Sequence, residues 1–350
     1  MYTAELWKEN RAALPAFDEA ELIREVNSVL SLRNRIEKII DEIWANDFDS
    51  IFFIGIGGTY ASCKQAEVFM RGRSSLPVYA ENAAEFNTTG NKRLSAQSVV
   101  IFSSVSGTTP EMITMIRRIH EAGAKAFGFV DTENSELAGM ADWVISVPKQ
   151  EQLKFFLVCT YLMYRNHEFD EYDRFCRQLS ACLAKDLAEI EKESDAWAKQ
   201  FAQKTSAFLK EHPDMPHYFI ASGNLAGAAY SAAMCYWAEQ LWIRTVYVSA
   251  QDFFHGMQEV ITRDVPVILF VGEDEQRPLA ERAARFLPKV CANYTIIDSS
   301  EFPMNGIDEQ FRGILSPLII RSVMNRIDAW LEIELRHPRS IRRYYRQFDY

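Results

Sequence analysis

The sequence predicts an α/β protein in which two related parallel sheets follow one another, each covered by helices on both faces. Short apolar segments rich in β-branched and aromatic residues alternate with amphipathic helical segments from about residue 50 onward, a pattern typical of parallel sheets. The pattern also repeats at an offset of about 167 residues, which indicates two tandem units. The matching pairs are IFFIGIGG with HYFIASGN, SVVIFSSVSG with VPVILFVGED, and AKAFGFVDT with ANYTIIDSS.

Helical spacing predicts the elements that surround the two sheets. The first segment places apolar residues at helical intervals, with Asp18 and Asn34 as helix caps. An acidic stretch between the repeats contains neither Gly nor Pro, so we expect a helical connector rather than a flexible linker. The predicted order is N-terminal helices (1–48), first domain (49–170), helical connector (171–212), second domain (213–335) and C-terminal tail (336–350).

Composition limits the function classes. The 350 residues are 48% hydrophobic and 25% charged, as in globular proteins, and the formal net charge is −10. The acidic balance disfavours nucleic-acid binding. We expect a cytoplasmic protein, because the sequence has neither a membrane-length apolar run nor a signal-peptide pattern. The histidine and cysteine spacings match no metal motif, so we expect no metal or organic cofactor.

The first glycine loop follows the first predicted strand. Gly57 and Gly58 end the run IFFIGIGG, and Glu81 lies near the position of a ribose-binding acid. A dinucleotide fingerprint would need a third glycine where Tyr60 stands. The alternatives are a simple tight turn or a small anion site.

The second loop carries the stronger signal. The run SVSGTTPE supplies four hydroxyl groups between a strand and a helix, from Ser104, Ser106, Thr108 and Thr109. Hydroxyls and unpaired amides at a helix start are the chemistry of a phosphate site. Ordinary helix capping by Ser106 or Thr109 is the alternative, although one hydroxyl would suffice for it.

Two titratable residues in the second repeat are candidates for proton transfer. Glu239 lies near the end of a helix of small residues that has little other charge, and His255 follows the strand VYVSA. Each also has a structural interpretation, Glu239 as a solvated helix end and His255 as a packed residue beside two phenylalanines. Together they could move protons near neutral pH.

These residues resemble the sugar isomerase (SIS) domain family, and within it the fructosamine-6-phosphate deglycases. GGTYAS and SVSGTTPE are similar to the family's two phosphate loops, and EQLWI followed by DFFHGMQEV is similar to its catalytic Glu and His segments. The tail HPRSIRRYYRQFDY also resembles a deglycase ending. The isomerase half of glucosamine-6-phosphate synthase has similar phosphate loops and similar Glu and His segments.

The resemblance implies two flavodoxin-like units and a shared active site. Glu239 would be the catalytic base, and His255 would assist ring opening from across the interface of a homodimer. The tail residues Arg342, Arg343 and Tyr345 are candidate substrate contacts. The phosphate would be held by Gly57, Gly58, Thr59, Ser104, Ser106, Gly107 and Thr109.

The reaction implied by the resemblance is hydrolysis of a 6-phosphorylated fructosyl or glucosyl amine through an enaminol, giving glucose 6-phosphate and a free amine. Met257 and Asp252 depart from the usual residues of the His255 loop, and the synthase's C-terminal lysine has no counterpart, which argues against aminotransfer. Phosphosugar isomerisation, amino-sugar-phosphate deamination and non-catalytic phosphosugar sensing are the alternatives. The sequence does not identify the amine.

Overall fold

Two parallel sheets organise the chain, which is described over residues 17–347 by a computed structural model. The first unit comprises Ile23–Ala184 with Asn305–Ile314, and the second comprises Lys185–Met304 with the described residues up to Leu22 and from Leu315 onward. The α/β prediction with two parallel-sheet units is confirmed. The finer domain limits given above remain a prediction.

The first sheet has the strand order β2-β1-β3-β4-β5, and every pair of neighbours is parallel. This is the doubly wound order of flavodoxin-like folds. The elements are α1 (Glu19–Leu30), α2 (Arg33–Trp44), β1 (Ser50–Gly55), α3 (Gly58–Arg71), β2 (Val78–Asn82), α4 (Ala83–Thr89), β3 (Ser98–Ser104), α5 (Pro110–Glu121), β4 (Lys125–Val130), α6 (Glu136–Met140), β5 (Trp143–Ile145), α7 (Glu151–Arg165) and α8 (Tyr172–Gln178).

The second sheet repeats the arrangement with four parallel strands in the order β7-β6-β8-β9. A π-helical turn, Leu179–Leu183, precedes the long helix α9 (Ala184–Glu211). The remaining elements are β6 (His217–Ala221), α10 (Leu225–Ser231), a π-helical segment (Ala232–Ala238), α11 (Glu239–Leu241), β7 (Thr245–Ser249), α12 (Ala250–Phe253), β8 (Val267–Val271), α13 (Arg277–Val290), β9 (Tyr294–Asp298) and α14 (Glu309–Leu335).

Each sheet is covered by apolar helix faces. All residues of β1 and β3 are buried, as expected for central parallel strands with helices on both faces. Phe102 of β3 and Ile116 of α5 belong to one core cluster, and Leu269 of β8 and Ala283 of α13 to another. Among residues 17–347, no helix is both long and apolar enough to cross a membrane.

The two predicted N-terminal caps differ in outcome. The Asp18 carboxylate accepts a hydrogen bond from the Glu21 amide at 2.9 Å, as a capping residue does. The prediction for Asn34 is wrong, because α2 already begins at Arg33 and Leu32 occupies the capping position. Helical spacing alone does not determine such a boundary to the residue.

Close packing between β1 and α3 requires glycine at position 55. A Cβ there would lie 2.6 Å from the carbonyl carbon of Thr59 and 2.7 Å from the amide nitrogen of Tyr60. The strand therefore meets the helix backbone directly, without a side chain between them. The strand can approach the helix closely even though Tyr60 replaces the third fingerprint glycine, because the close contact is made at Gly55.

We predict that Gly55→Ala destabilises the protein by about 1–3 kcal/mol, because the added methyl group collides with backbone that cannot move independently of the helix. Urea unfolding of the variant measures this. Gly72→Ala is the matched control, since an added Cβ at Gly72, whose φ is −86°, meets no atom within 4 Å. Equal unfolding midpoints for the two variants would contradict the proposed close approach.

Candidate functional site

The turn between β1 and α3 is shaped by Gly57 and Thr59. Gly57 has a φ of +59°, which favours glycine. The Thr59 hydroxyl accepts a hydrogen bond from the Ile56 amide at 2.9 Å and donates one to the Ile56 carbonyl at 3.0 Å. Thr59 thus closes the turn, and α3 begins at Gly58 with first-turn amides that have no acceptor within the helix. Such a helix start favours an anion.

The turn between β3 and α5 is held by its own serine hydroxyls. The buried Ser104 hydroxyl accepts a hydrogen bond from the Gly107 amide at 3.1 Å, and the Ser106 hydroxyl accepts one from the Thr108 amide at 3.3 Å. Gly107 has a φ of +64°, and a Cβ on it would lie 1.9 Å from the Ser135 hydroxyl oxygen. Only glycine fits this position without displacing its neighbour.

Thr109 immediately precedes α5 with extended backbone, but its side chain makes no capping hydrogen bond to the helix. The capping alternative considered for this hydroxyl is therefore not what the structure shows. Pro110 occupies the first turn, where a missing amide hydrogen costs nothing. Because the Thr109 hydroxyl does not cap the helix, it can bind a ligand.

The two turns lie at the same edge of the first sheet. β1 and β3 are neighbours, with Ile54 paired to Phe102, while β1 pairs with β2 on its other side. The winding direction of the sheet thus reverses between β1 and β3, and ligands of open α/β sheets bind at such a point. The fold brings together the seven predicted phosphate-binding positions: Gly57, Gly58, Thr59, Ser104, Ser106, Gly107 and Thr109.

A half-buried carboxylate that was not predicted from the sequence lies beneath these turns. The Glu151 carboxylate, in the first turn of α7, accepts a hydrogen bond from the Ser103 hydroxyl of β3 at 2.6 Å and another from Ser62 of α3. Burial raises its pKa, and the two serine hydroxyls act in the opposite direction. Glu151 thereby joins the strand before one turn to the helix after the other.

One helical turn further, Lys154 is fully buried and places its ammonium group 3.0 Å from the Asp131 carboxylate. It also donates to the Val147 carbonyl. A buried charge needs such partners to offset the loss of hydration. In the sequence, Glu151 and Lys154 are a charged pair three residues apart at the start of a mostly apolar helix. Such a pair does not show whether the lysine is buried or solvated.

The equivalent edge of the second sheet is occupied by a side chain of the protein itself. The Asp274 carboxylate, after β8, accepts a hydrogen bond from the Asn224 amide at 2.7 Å and another from the Gln276 amide at 3.0 Å. A Cβ on Gly223, which follows β6, would lie 2.0 Å from the same carboxylate. In the second unit an internal anion therefore already binds these amides.

Glu239 directly follows the π-helical segment Ala232–Ala238. Segments of this kind are rare and often occur at functional sites. Trp237 of this segment fixes the position of the helix. It is fully buried, packs edge-on against Phe219 of β6 and donates an indole hydrogen bond to Asp328 at 3.1 Å. Two residues later the partly exposed carboxylate of Glu239 projects at the surface of the second unit.

The C-terminal segment contacts this glutamate. Arg342 donates from Nε to Oε1 of Glu239 at 2.8 Å. Its neighbour Arg343 lies over the Trp242 ring, 4.3 Å from the centroid. Tyr345 is 44% exposed. The two arginines predicted as candidate substrate contacts are thus in different environments, one paired with the candidate base and the other stacked on an indole.

His255 lies in a loop shaped by Asp252 and Gly256. The Ser249 hydroxyl donates to the Asp252 carboxylate at 2.5 Å, and Gly256 has a φ of +142°. The His255 side chain is exposed, and within residues 17–347 its imidazole makes no hydrogen bond. The described chain therefore does not join Glu239 and His255 by a direct hydrogen bond.

The described residues contain no group of three His, Cys, Asp or Glu side chains that could hold a metal ion. The first unit presents hydroxyl groups and backbone amides to a ligand. The second unit presents the carboxylate of Glu239 and the imidazole of His255. These groups can bind a phosphate and transfer protons.

Comparison with known proteins finds relatives that cover most of this chain. Residues 46–164 match the model of the SIS domain. Fructosamine deglycase FrlB of Bacillus subtilis (strain 168) is 28% identical over 332 residues, which cover 91% of this chain and 98% of that protein. Fructoselysine 6-phosphate deglycase of Escherichia coli (strain K12) is 25% identical over 333 residues, which cover 93% and 94%.

A solved Bacillus subtilis structure, described as that of a phosphosugar isomerase, has the same fold. Its TM-score is 0.82 at 27% identity, and the alignment covers 95% of this chain and 100% of that chain. Together with the deglycase relatives, it confirms the resemblance to SIS-domain proteins and deglycases that the sequence motifs indicated.

We predict that Thr59→Val weakens binding of glucose 6-phosphate about 10-fold, because the turn amide and carbonyl of Ile56 both lose their hydroxyl partner. Thr59→Ser keeps the hydroxyl and is the matched control, expected to bind within about 3-fold of the unmodified protein. Isothermal titration calorimetry measures both. Equal affinities for the two variants would show that the hydroxyl does not shape the anion site.

Proposed function

We propose that this chain, which contains a SIS domain at residues 46–164, is a fructosamine-6-phosphate deglycase. It would hydrolyse a 6-phosphorylated Amadori compound to glucose 6-phosphate and a free amine or amino acid. The observation that carries the proposal is similarity to two deglycases over more than 90% of this chain and of each relative.

In this proposal the turns after β1 and β3 bind the phosphate. Neutral hydroxyls and helix-start amides hold the anion and fix one end of the substrate. Its binding energy can then be used to orient the opened sugar chain. The Glu151–Ser103–Ser62 network supports this role by joining the two turns beneath the ligand.

Glu239 acts as the base. It removes a proton from C1, the carbon that carries nitrogen, while the carbonyl oxygen at C2 gains a proton from solvent, giving an enaminol. Return of a proton to C2 gives an imine at C1. Water then adds to C1 and the carbon–nitrogen bond breaks, so that an aldehyde and an amine are released. Each step is a proton transfer or a water addition of the kind that a positioned carboxylate and imidazole can assist.

His255 assists ring opening and proton transfer in this proposal, and a homodimer presents it to the partner's Glu239. The exposed imidazole, which makes no hydrogen bond within residues 17–347, is available for such a role. A phosphorylated substrate carries charge and does not cross membranes unaided. We therefore place the enzyme in the cytoplasm.

Glu239→Gln is expected to lower kcat by at least about 100-fold while glucose 6-phosphate binding stays within about 3-fold, because the amide keeps the shape but cannot accept the proton. Glucose 6-phosphate release from 6-phosphofructosyl-lysine, coupled to a dehydrogenase, measures turnover. Glu211→Gln, which changes an exposed carboxylate of the same unit, is the control. Retained turnover in Glu239→Gln would refute the assignment.

A mixture of Glu239→Gln and His255→Ala subunits tests the shared site. If each site combines Glu239 of one protomer with His255 of the partner subunit, a mixed dimer keeps one intact site. Random 1:1 mixing then restores about a quarter of the unmodified activity, since half of the dimers are mixed and each has one of two sites intact. No recovery above the two inactive variants would place both residues in one protomer.

Phosphosugar isomerisation is the second candidate function. It is favoured by the description of the 27% identical Bacillus subtilis structure as a phosphosugar isomerase. The same base and the same phosphate turns would serve it, because aldose–ketose isomerisation also passes through a proton transfer between C1 and C2. Turnover of fructose 6-phosphate without any amine substrate distinguishes it from deglycation.

A further inference from the structure

We infer that Arg342 is a positioning residue for the catalytic base: it fixes Oε1 of Glu239 and leaves Oε2 to meet the substrate. The inference rests on the proposed function, because it needs Glu239 to be the base. It assigns to Arg342 a role different from the direct substrate contact that the sequence suggested.

The guanidinium of Arg342 is committed within its own unit. Nε donates to Glu239 Oε1 at 2.8 Å, while Nη1 donates to the Ile341 carbonyl at 3.1 Å and to the Arg339 carbonyl. The two charged side chains are partly buried, at 20% exposure for Arg342 and 35% for Glu239. A guanidinium held through two of its three nitrogens has little freedom to turn towards a substrate.

The segment that carries Arg342 is itself tied to α14. Arg339 donates from its backbone amide to one oxygen of Glu332 at 3.0 Å and from Nε to the other at 2.9 Å. The Ile341 amide donates to the Pro338 carbonyl at 3.1 Å, which closes a turn between them. Arg342 therefore projects from an ordered turn and not from a free tail.

The same segment also packs against the end of the helix that bears the base. His337 lies 4.2 Å from the Trp242 ring, centroid to centroid, and Arg343 lies over the same indole. Trp242 has a φ of +57° and ends the short helix that begins at Glu239. The C-terminal segment thus touches this helix at its first residue through Arg342 and at its end through Trp242.

The pairing has the form that a general base needs. A base must be ionised and aimed at the proton that it removes, and small misplacements are costly. Arg342 restrains the rotation of the Glu239 carboxylate through its hydrogen bond to Oε1. Within residues 17–347, Oε2 makes no hydrogen bond. Arg342 therefore holds Oε1, and Oε2 is available to accept a proton from the substrate.

Arg342→Ala is expected to lower kcat on 6-phosphofructosyl-lysine by about 10- to 100-fold, with KM changed by less than about 3-fold, because the base is misplaced while the phosphate turns are intact. Arg342→Lys restores a donor and should recover most of the loss. Guanidinium chloride below its denaturing range should partly rescue Arg342→Ala. Arg346→Ala, an arginine of the same segment that lies over Tyr345, is the control, expected within about 2-fold.

The outcomes separate the inference from the proposed function. If Glu239→Gln is inactive while Arg342→Ala keeps kcat within about 2-fold, the deglycase proposal stands and the positioning role is wrong. A rise in KM with unchanged kcat would instead assign Arg342 to substrate binding and overturn the inference. If Arg346→Ala loses as much activity as Arg342→Ala, the effect belongs to the segment's charge and not to the pair. If Glu239→Gln retains turnover, the proposed function and the inference both fail.

Discussion

The reversal of winding between β1 and β3 is the constraint on which the candidate site depends. Successive strands are added to opposite sides of β1, so the crossover helices that follow β1 and β3 lie on different faces of the sheet. Their first turns consequently diverge from one edge and leave room for a ligand. Gly55 lets β1 approach the α3 backbone, and Gly107 makes room for Ser135, so both turns pack closely against their neighbours.

The two sheets show how one architecture supports two different roles. In the first unit the edge at the reversal point offers hydroxyls and helix-start amides to a ligand. In the second unit the Asp274 carboxylate binds the equivalent amides. An anion that is part of the chain costs no translational entropy to bind, so it competes strongly with one from solution. The second unit instead contributes Glu239, on a helix whose register is set by the buried Trp237 and Asp328.

The strands and the glycine turns could be predicted because their signals are local, and the tandem repeat because the same local patterns recur about 167 residues later. Apolar runs, helical periodicity and glycines at turns are read within about ten residues of one another. The Arg342–Glu239 contact joins positions 103 residues apart and depends on how the C-terminal segment folds back. Glu151 and the buried Lys154 were missed because nothing in a single sequence distinguishes a charged residue under a turn from one on a surface.

The most direct test is to incubate the unmodified protein with a panel of 6-phosphofructosyl amino acids, with fructose 6-phosphate and glucosamine 6-phosphate as the other substrates, and to quantify sugar phosphates and amines by NMR in D₂O. The account predicts equal amounts of amine and glucose 6-phosphate from at least one Amadori substrate, with solvent deuterium at C2 from the enaminol step. Turnover of fructose 6-phosphate or glucosamine 6-phosphate alone, with every Amadori compound intact, would contradict it.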